Sequence, residues 1–180
     1  MSMRKFSLLA ILAVLIGSFA LTGPATAAPL QTRHSASPDA LTNLITWWSG
    51  ARGDNYSSGT QAGDDSARAA GYTFIRDEGL VEETQVSGTV PLQLWWSSAR
   101  GDNYTTATTA GQNSARAAGY SFIRNEGYVW PTQVSGTVPL ELWWSAARGD
   151  NFTTATQAGK DSARAAGYVF IRNEGYVVPF

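Results

Sequence analysis

One 48-residue unit is written three times in this chain, with no insertion or deletion between copies. Trp47-Trp48 returns as Trp95-Trp96 and Trp143-Trp144, and Arg52-Gly53-Asp54-Asn55 returns as Arg100 to Asn103 and as Arg148 to Asn151. Arg76, Glu78 and Gly79 recur at the same step. A fixed period of this length marks repeat architecture, in which one unit cannot bury its apolar face without its neighbours. A linear stack would need atypical end repeats to cover exposed core. Here residues 137–179 differ from 89–131 at only 8 of 43 positions, so the last copy carries no cap. Closure around a threefold axis is therefore expected.

The second copy gives the clearest local pattern. Val90, Leu92, Leu94 and Trp96 alternate with Pro91, Gln93 and Trp95, the period of a strand with one buried face. That phase turns Trp96 inward and Trp95 outward. Ala99-Arg100-Gly101-Asp102 reads as a turn, and Tyr104 to Thr108 as a second strand rich in types that suit a pleated surface. Asn113 or Ser114 is the expected cap of a short helix over Ala115 to Ala118, stopped by Gly119. Tyr120 to Arg124 forms a third strand. After an Asn125-Glu126-Gly127 turn, Gly127 to Trp130 forms a fourth. Four strands in each of three units predict an all-β fold with short helical turns, a β-trefoil. A three-sheet β-prism or a small propeller is the alternative.

Ahead of the repeats, Arg4 and Lys5, the apolar run Phe6 to Leu21 and Ala25-Thr26-Ala27 have the layout of a secretory signal peptide over residues 1–28. Residues 29–40 read as a disordered linker, which holds the single histidine, His34. Residues 41–180 then form one three-repeat domain, with units at about 41–88, 89–136 and 137–180. Secretion without any cysteine leaves packing, not disulfides, to stabilise it. Loss of Arg4 and Lys5 leaves 11 basic and 14 acidic residues, a formal charge of −3. A mildly acidic surface with no basic run argues against nucleic acid, and no later segment is apolar enough for membrane insertion. A secreted, extracellular monomer is expected.

Catalysis has little material. Without cysteine, or histidine within the repeats, the common nucleophile and base pairs cannot be assembled. Asp54 with Glu78, and their copies, leave a carboxylate-pair glycoside hydrolase as a weaker reading. Each of these carboxylates has a repeated arginine close in sequence. Arg52, Arg76 and Glu78, Arg100, Arg124 and Glu126, and Arg148, Arg172 and Glu174 are thus expected in structural ion pairs. No metal or cofactor site is indicated by ligand spacing.

The tryptophans are the better lead. A Trp that leaves the core is a flat apolar platform with one N–H donor, suited to stacking on a sugar ring, and nearby Asp and Asn could take the hydroxyls. The candidate glycan sites are Trp47, Asp54 and Asn55, then Trp95, Asp102 and Asn103, then Trp143, Asp150 and Asn151. Polysaccharide or glycoprotein glycans are the expected partners of a non-catalytic binding module. A structural or protein-interaction scaffold is the alternative. Arg-Gly-Asp occurs three times, which adds adhesion to a cell-surface protein as a further alternative.

Gly-Asp-Asn-Tyr/Phe-x-Thr, Ala-Ala-Gly-Tyr and Glu-Gly-Tyr-Val together resemble a family of short secreted repeats of unknown function, over Trp47 to Tyr176. Its members are often triplicated beside hydrolase domains in bacterial and fungal exported proteins. The resemblance implies an exported accessory or binding module without naming a ligand. The triplication also gives a looser, lectin-like resemblance to β-trefoil lectins, but the Gln-x-Trp signature of one large lectin group is absent.

Overall fold

A computed structural model describes residues 40–180; the leader and most of the linker expected from the sequence lie outside the described residues. Each repeat folds as β-β-α-β. The first contains β1 (Leu41–Ser49), β2 (Asp54–Ser58), α1 (Gln61–Ala69) and β3 (Thr73–Glu82). The second contains β4 (Val90–Ser97), β5 (Asp102–Thr106), α2 (Thr109–Ala117) and β6 (Ser121–Val129). The third contains β7 (Val138–Ser145), β8 (Asp150–Thr154), α3 (Gln157–Ala165) and β9 (Val169–Val177). The fold is mostly β, with two antiparallel sheets ordered β2-β1-β3-β6-β4-β5 and β8-β7-β9. The longer sheet is two repeat sheets joined through the pair Glu82 and Tyr128.

Four strands per repeat and a trefoil barrel were the expectation. Three strands form in each repeat, and no barrel closes among the described residues. The expected Asn125-Glu126-Gly127 turn is instead a bulge inside the single strand β6. Pro91 faces Tyr128 while Gln93 faces Asn125, so one extra residue is accommodated there. A second bulge follows, since Leu94 faces Arg124 but Trp95 faces Phe122. Bulges bend a strand without ending it and re-aim the extra side chain. The same shifts occur in β3 and β9.

The helix starts earlier than expected. Thr108, not Asn113 or Ser114, caps α2, its Oγ1 accepting the Gly111 N–H at 3.0 Å, and Thr60 and Thr156 do the same for α1 and α3. The expected second strand therefore stops at Thr106, and Thr108 serves the helix. Gly119, with φ +80°, stands just after α2 as expected, a backbone angle that favours glycine.

All three repeats contribute to one central core of Leu44, Leu92 and Leu140 with Val81, Val129 and Val177. Three satellite clusters lie under the helices. Trp95, Tyr104 and Tyr120 pack with Ala115 of their own helix and with Leu142 of the next repeat. Trp47, Tyr56, Ala67 and Tyr72 likewise take in Leu94. The middle strands β4 and β7 are thus covered on one face by their own helix and on the other by the preceding repeat.

Buried carboxylates close the ring. The extra residue of the first bulge, Glu78, Glu126 or Glu174, is 2 % exposed or less. Glu174 Oε2 accepts the Ala107 and Thr108 N–H groups at 3.2 and 3.1 Å and the Thr106 and Thr108 hydroxyls at 2.6 and 2.8 Å, all at the start of α2. Glu78 does the same at Thr154 to Thr156 before α3, and Glu126 at Gly59 and Thr60 before α1. A helix N-terminus offers unpaired N–H groups and partial positive charge, the surroundings a buried carboxylate needs. Repeat one thus binds three, three binds two, and two binds one.

Candidate functional site

The two tryptophans of each pair have opposite environments, in the reverse of the expected phase. Trp47, Trp95 and Trp143 are 3 %, 4 % and 5 % exposed, so these first candidates lie in the core. Trp95 shares its face with Tyr104 directly opposite on β5, and both lie beneath α2. Trp48, Trp96 and Trp144 are half-buried and line surface clefts. The expectation failed because it assumed one solvated face per sheet. Both faces are covered, and the cover from the preceding repeat ends short of Trp96.

Three equivalent clefts open where successive repeats meet. One holds Tyr72 and Arg52 of the first repeat opposite Trp96, Asn103, Ile123 and Arg124 of the second. Another holds Arg100 and Tyr120 opposite Trp144, Asn151, Ile171 and Arg172. The third closes the circle, with Arg148 and Tyr168 opposite Trp48, Asn55, Ile75 and Arg76. Their volumes are about 190, 250 and 190 Å³ respectively. That is below the ~300 Å³ lower end of drug-sized pockets, and suits one ring more than an oligomer. Trp48, Trp96 and Trp144, the tyrosines and the isoleucines were all missed from sequence. The adjacency of two Trp residues was the available signal, because both faces of that strand then need cover.

The arginines divide into two sets. Arg76, Arg124 and Arg172 lie 3.4, 3.5 and 2.6 Å from Glu78, Glu126 and Glu174. Arg124 is further fixed by the Ser66 hydroxyl at 2.9 Å and the Ala62 carbonyl at 3.1 Å, across the repeat boundary. Burial pushes Glu126 above the usual carboxylate range, against the hydrogen bonds from Thr60 and Gly59. Arg52, Arg100 and Arg148 were expected in the same kind of pair. They have no carboxylate partner among the described residues; each stacks on an aromatic ring instead. Arg52 lies 5.6 Å from the ring centres of both Trp96 and Tyr72, and Arg148 lies 5.6 Å from Trp48 and 5.9 Å from Tyr168.

The candidate aspartates meet far from solvent. Oxygens of Asp54, Asp102 and Asp150 lie within 4.8 Å of one another, and the three residues are 1 %, 2 % and 1 % exposed. Each carboxylate binds both the backbone and side-chain N–H of the next repeat's asparagine: Asp54 at 3.0 and 2.8 Å to Asn103, Asp102 at 3.0 and 2.8 Å to Asn151, Asp150 at 2.9 and 2.7 Å to Asn55. Tyr72, Tyr120 and Tyr168 donate their hydroxyls to the same three carboxylates. Burial raises Asp54 to about 7 and Asp150 to about 9, against the pull of these donors and with help from neighbouring carboxylates. This is the one acidic cluster among the described residues close enough to share a cation, and its oxygens are already engaged by protein donors.

Two sequence readings change accordingly. The Arg-Gly-Asp segments do form turns, with the Gly53 N–H bonded to the Ser49 carbonyl at 2.8 Å, but each aspartate points into the protein and offers no carboxylate to a receptor. The aspartates also cannot take sugar hydroxyls beside a tryptophan. Of the polar candidates only the asparagines line the clefts, held there by their bonds to Asp and Tyr.

Among the described residues no helix is long and apolar enough to cross a membrane. Residues 45–178 match the family described as a domain of unknown function, DUF5648, and the chain belongs to that family. No curated protein and no solved structure matches it.

Proposed function

We propose that this chain is a non-catalytic glycan-binding module whose three inter-repeat clefts each take one sugar residue. The carrying observation is the half-buried Trp at each cleft, Trp48, Trp96 or Trp144, with an arginine, a tyrosine and an asparagine beside it. An aromatic face with a few fixed polar groups is the composition of a small-molecule site. Single shallow sites bind weakly, and three on one body gain avidity for a repeating polymer. The leader expected at residues 1–28 would place the protein outside the cell, where polysaccharides and glycoproteins are available.

The test is a glycan array followed by titration of intrinsic tryptophan fluorescence. Trp96→Ala is expected to remove about one third of the sites, and its combination with Trp48→Ala and Trp144→Ala to abolish binding, with the circular dichroism spectrum unchanged. Trp95→Ala instead should cost about 3–5 kcal/mol of stability in urea. Full binding by the triple variant would end this reading. A protein-interaction scaffold is the second reading, favoured by the exposed pairs Phe74-Ile75, Phe122-Ile123 and Phe170-Ile171. It predicts that Phe→Ser at all three pairs abolishes partner capture and leaves any sugar binding intact.

A further inference from the structure

We infer that the clefts select sugars that carry a carboxylate, so that the ligand is a uronate-containing glycan; this rests on the glycan-binding reading above. The starting observation is where positive charge is left unneutralised. Residues 40–180 carry 10 basic and 13 acidic side chains. Arg68, Arg76, Arg124, Lys160, Arg164 and Arg172 all lie within 4 Å of a carboxylate. Arg116 is held by Asn113. The three cations that remain without such a partner are Arg52, Arg100 and Arg148, and each lines a cleft. An acidic protein thus leaves three guanidinium groups without a carboxylate or amide side-chain partner at the places where a ligand would sit, Arg100 donating only its Nε–H to the Ala118 carbonyl at 3.3 Å.

Their position decides what that ligand can be. Each of these arginines leaves the turn of one repeat and reaches the cleft formed with the next. In two clefts it lies over the Trp ring itself, Arg52 on Trp96 and Arg148 on Trp48. A neutral sugar seeking that ring face must displace the cation and gains nothing in return. A ring bearing a carboxylate can engage the guanidinium edge, whose paired N–H groups match two carboxylate oxygens, while the stacked arrangement keeps the fork oriented. Arg124, already paired with Glu126, forms the cleft wall beside it, where Ser66 and the Ala62 carbonyl hold the guanidinium in place. Asn103 and Tyr72 supply the neutral polar lining for hydroxyls.

The test compares each acid with its own methyl ester, since the ring and hydroxyls stay the same and only the charge is removed. Oligogalacturonate, oligomannuronate and oligoglucuronate are titrated against the full chain by calorimetry, each beside its ester. At least one acid is expected to bind about tenfold or more tighter than its ester, the gain of one charge-assisted hydrogen bond. That preference should shrink at 0.5 M salt and vanish when Arg52, Arg100 and Arg148 are all changed to Gln. Arg→Lys at the same positions should keep only part of it, because a point charge lacks the fork. These side chains are exposed, so the variants should keep the parent circular dichroism spectrum. Equal binding of acid and ester, or binding to neutral glycans alone, overturns the charge selection and leaves the glycan reading standing. Binding to no sugar at all overturns both.

Discussion

Trp95 and its copies show how much a single polar atom matters in a repeated core. The Trp47 indole N–H donates to the Ser58 hydroxyl at 2.7 Å, which in turn donates to Asp64, and the Trp143 indole donates to Glu141 at 3.1 Å. Glu141 is further paired with Lys160 at 2.7 Å. In the second repeat Gln93 and Gln112 stand where Glu141 and Lys160 stand in the third, and both Trp95 Nε1 and Gln93 Oε1 are buried without a protein partner. An unmet buried donor costs about 1–3 kcal/mol. Gln93→Glu with Gln112→Lys should therefore raise stability by about 1–2 kcal/mol in urea, and Gln93→Glu alone by less, since its charge would then lack a partner. A double variant no more stable than the parent would show that the second repeat satisfies this indole differently. At this scale the sequence was informative about type and poor about facing. Thr73, Ser121 and Val169, which differ in type between the copies, are all exposed. The Trp phase was unreadable because strand alternation says which residues share a face, not which face meets solvent.

Among the elements, the bulged outer strand and the short helix depend on each other across repeats. The first bulge aims Glu174 at the start of α2, and the Thr108 hydroxyl both accepts the Gly111 N–H and donates to Glu174. Gly111 has to be small for this to work. A Cβ at this position would lie 1.8 Å from Thr106 Oγ1 and 3.1 Å from Glu174 Oε1. In an open helix Gly→Ala gains about 1 kcal/mol. Here Gly111→Ala should instead destabilise by more than about 2 kcal/mol, because α2 must move off β5 and release the buried carboxylate. Calorimetry on this variant decides the sign, and a stabilised protein would mean that the helix start is looser than its hydrogen bonds imply. The existence of the helix and its stop at Gly119 were legible locally. Its cap was not, since Thr108 also reads as a strand residue and its partner Glu174 lies 66 positions away. The bulge was mistaken for a turn for a similar reason: Asn-Glu-Gly has turn composition, and only the packing of Glu126 against another repeat keeps β6 running through it.

For the whole molecule, the triplication predicted closure, and the cyclic contacts supply it through Glu to helix start and Asp to Asn. Closure makes the position of the chain ends arbitrary: Leu41 pairs with Glu82, and Leu80 pairs with Val178. A circular permutant opened in the 83–89 connection, with residue 180 joined to residue 41 by about seven Gly and Ser residues, should reach the same fold with a similar urea midpoint. Failure of that permutant to fold would show that the connection itself, not the ring, holds the repeats. The centre of the ring also sets how stability depends on pH. Asp54 at about 7 and Asp150 at about 9 both lie above the free carboxyl value of 3.8. A folded-state value above the unfolded one means the folded form holds its protons more tightly. Their contribution is complete below about pH 4 and is lost as pH rises through about 7 and then about 9, by up to ~1.4 kcal/mol per pH unit for each proton. Glu126, also raised by burial, acts in the same direction. Asp54 and Asp150 interact, so the loss belongs to the pair more than to one residue. The urea midpoint should therefore fall steadily between pH 5 and pH 9. Asp150→Asn should lower stability at pH 5, where an amide NH2 replaces one of the two carboxyl oxygens that accept from Asn55 and Tyr168, yet flatten the decline toward pH 9. A midpoint that rises across that range would place Asp54 and Asp150 in a far more solvated setting than their burial and hydrogen bonds describe.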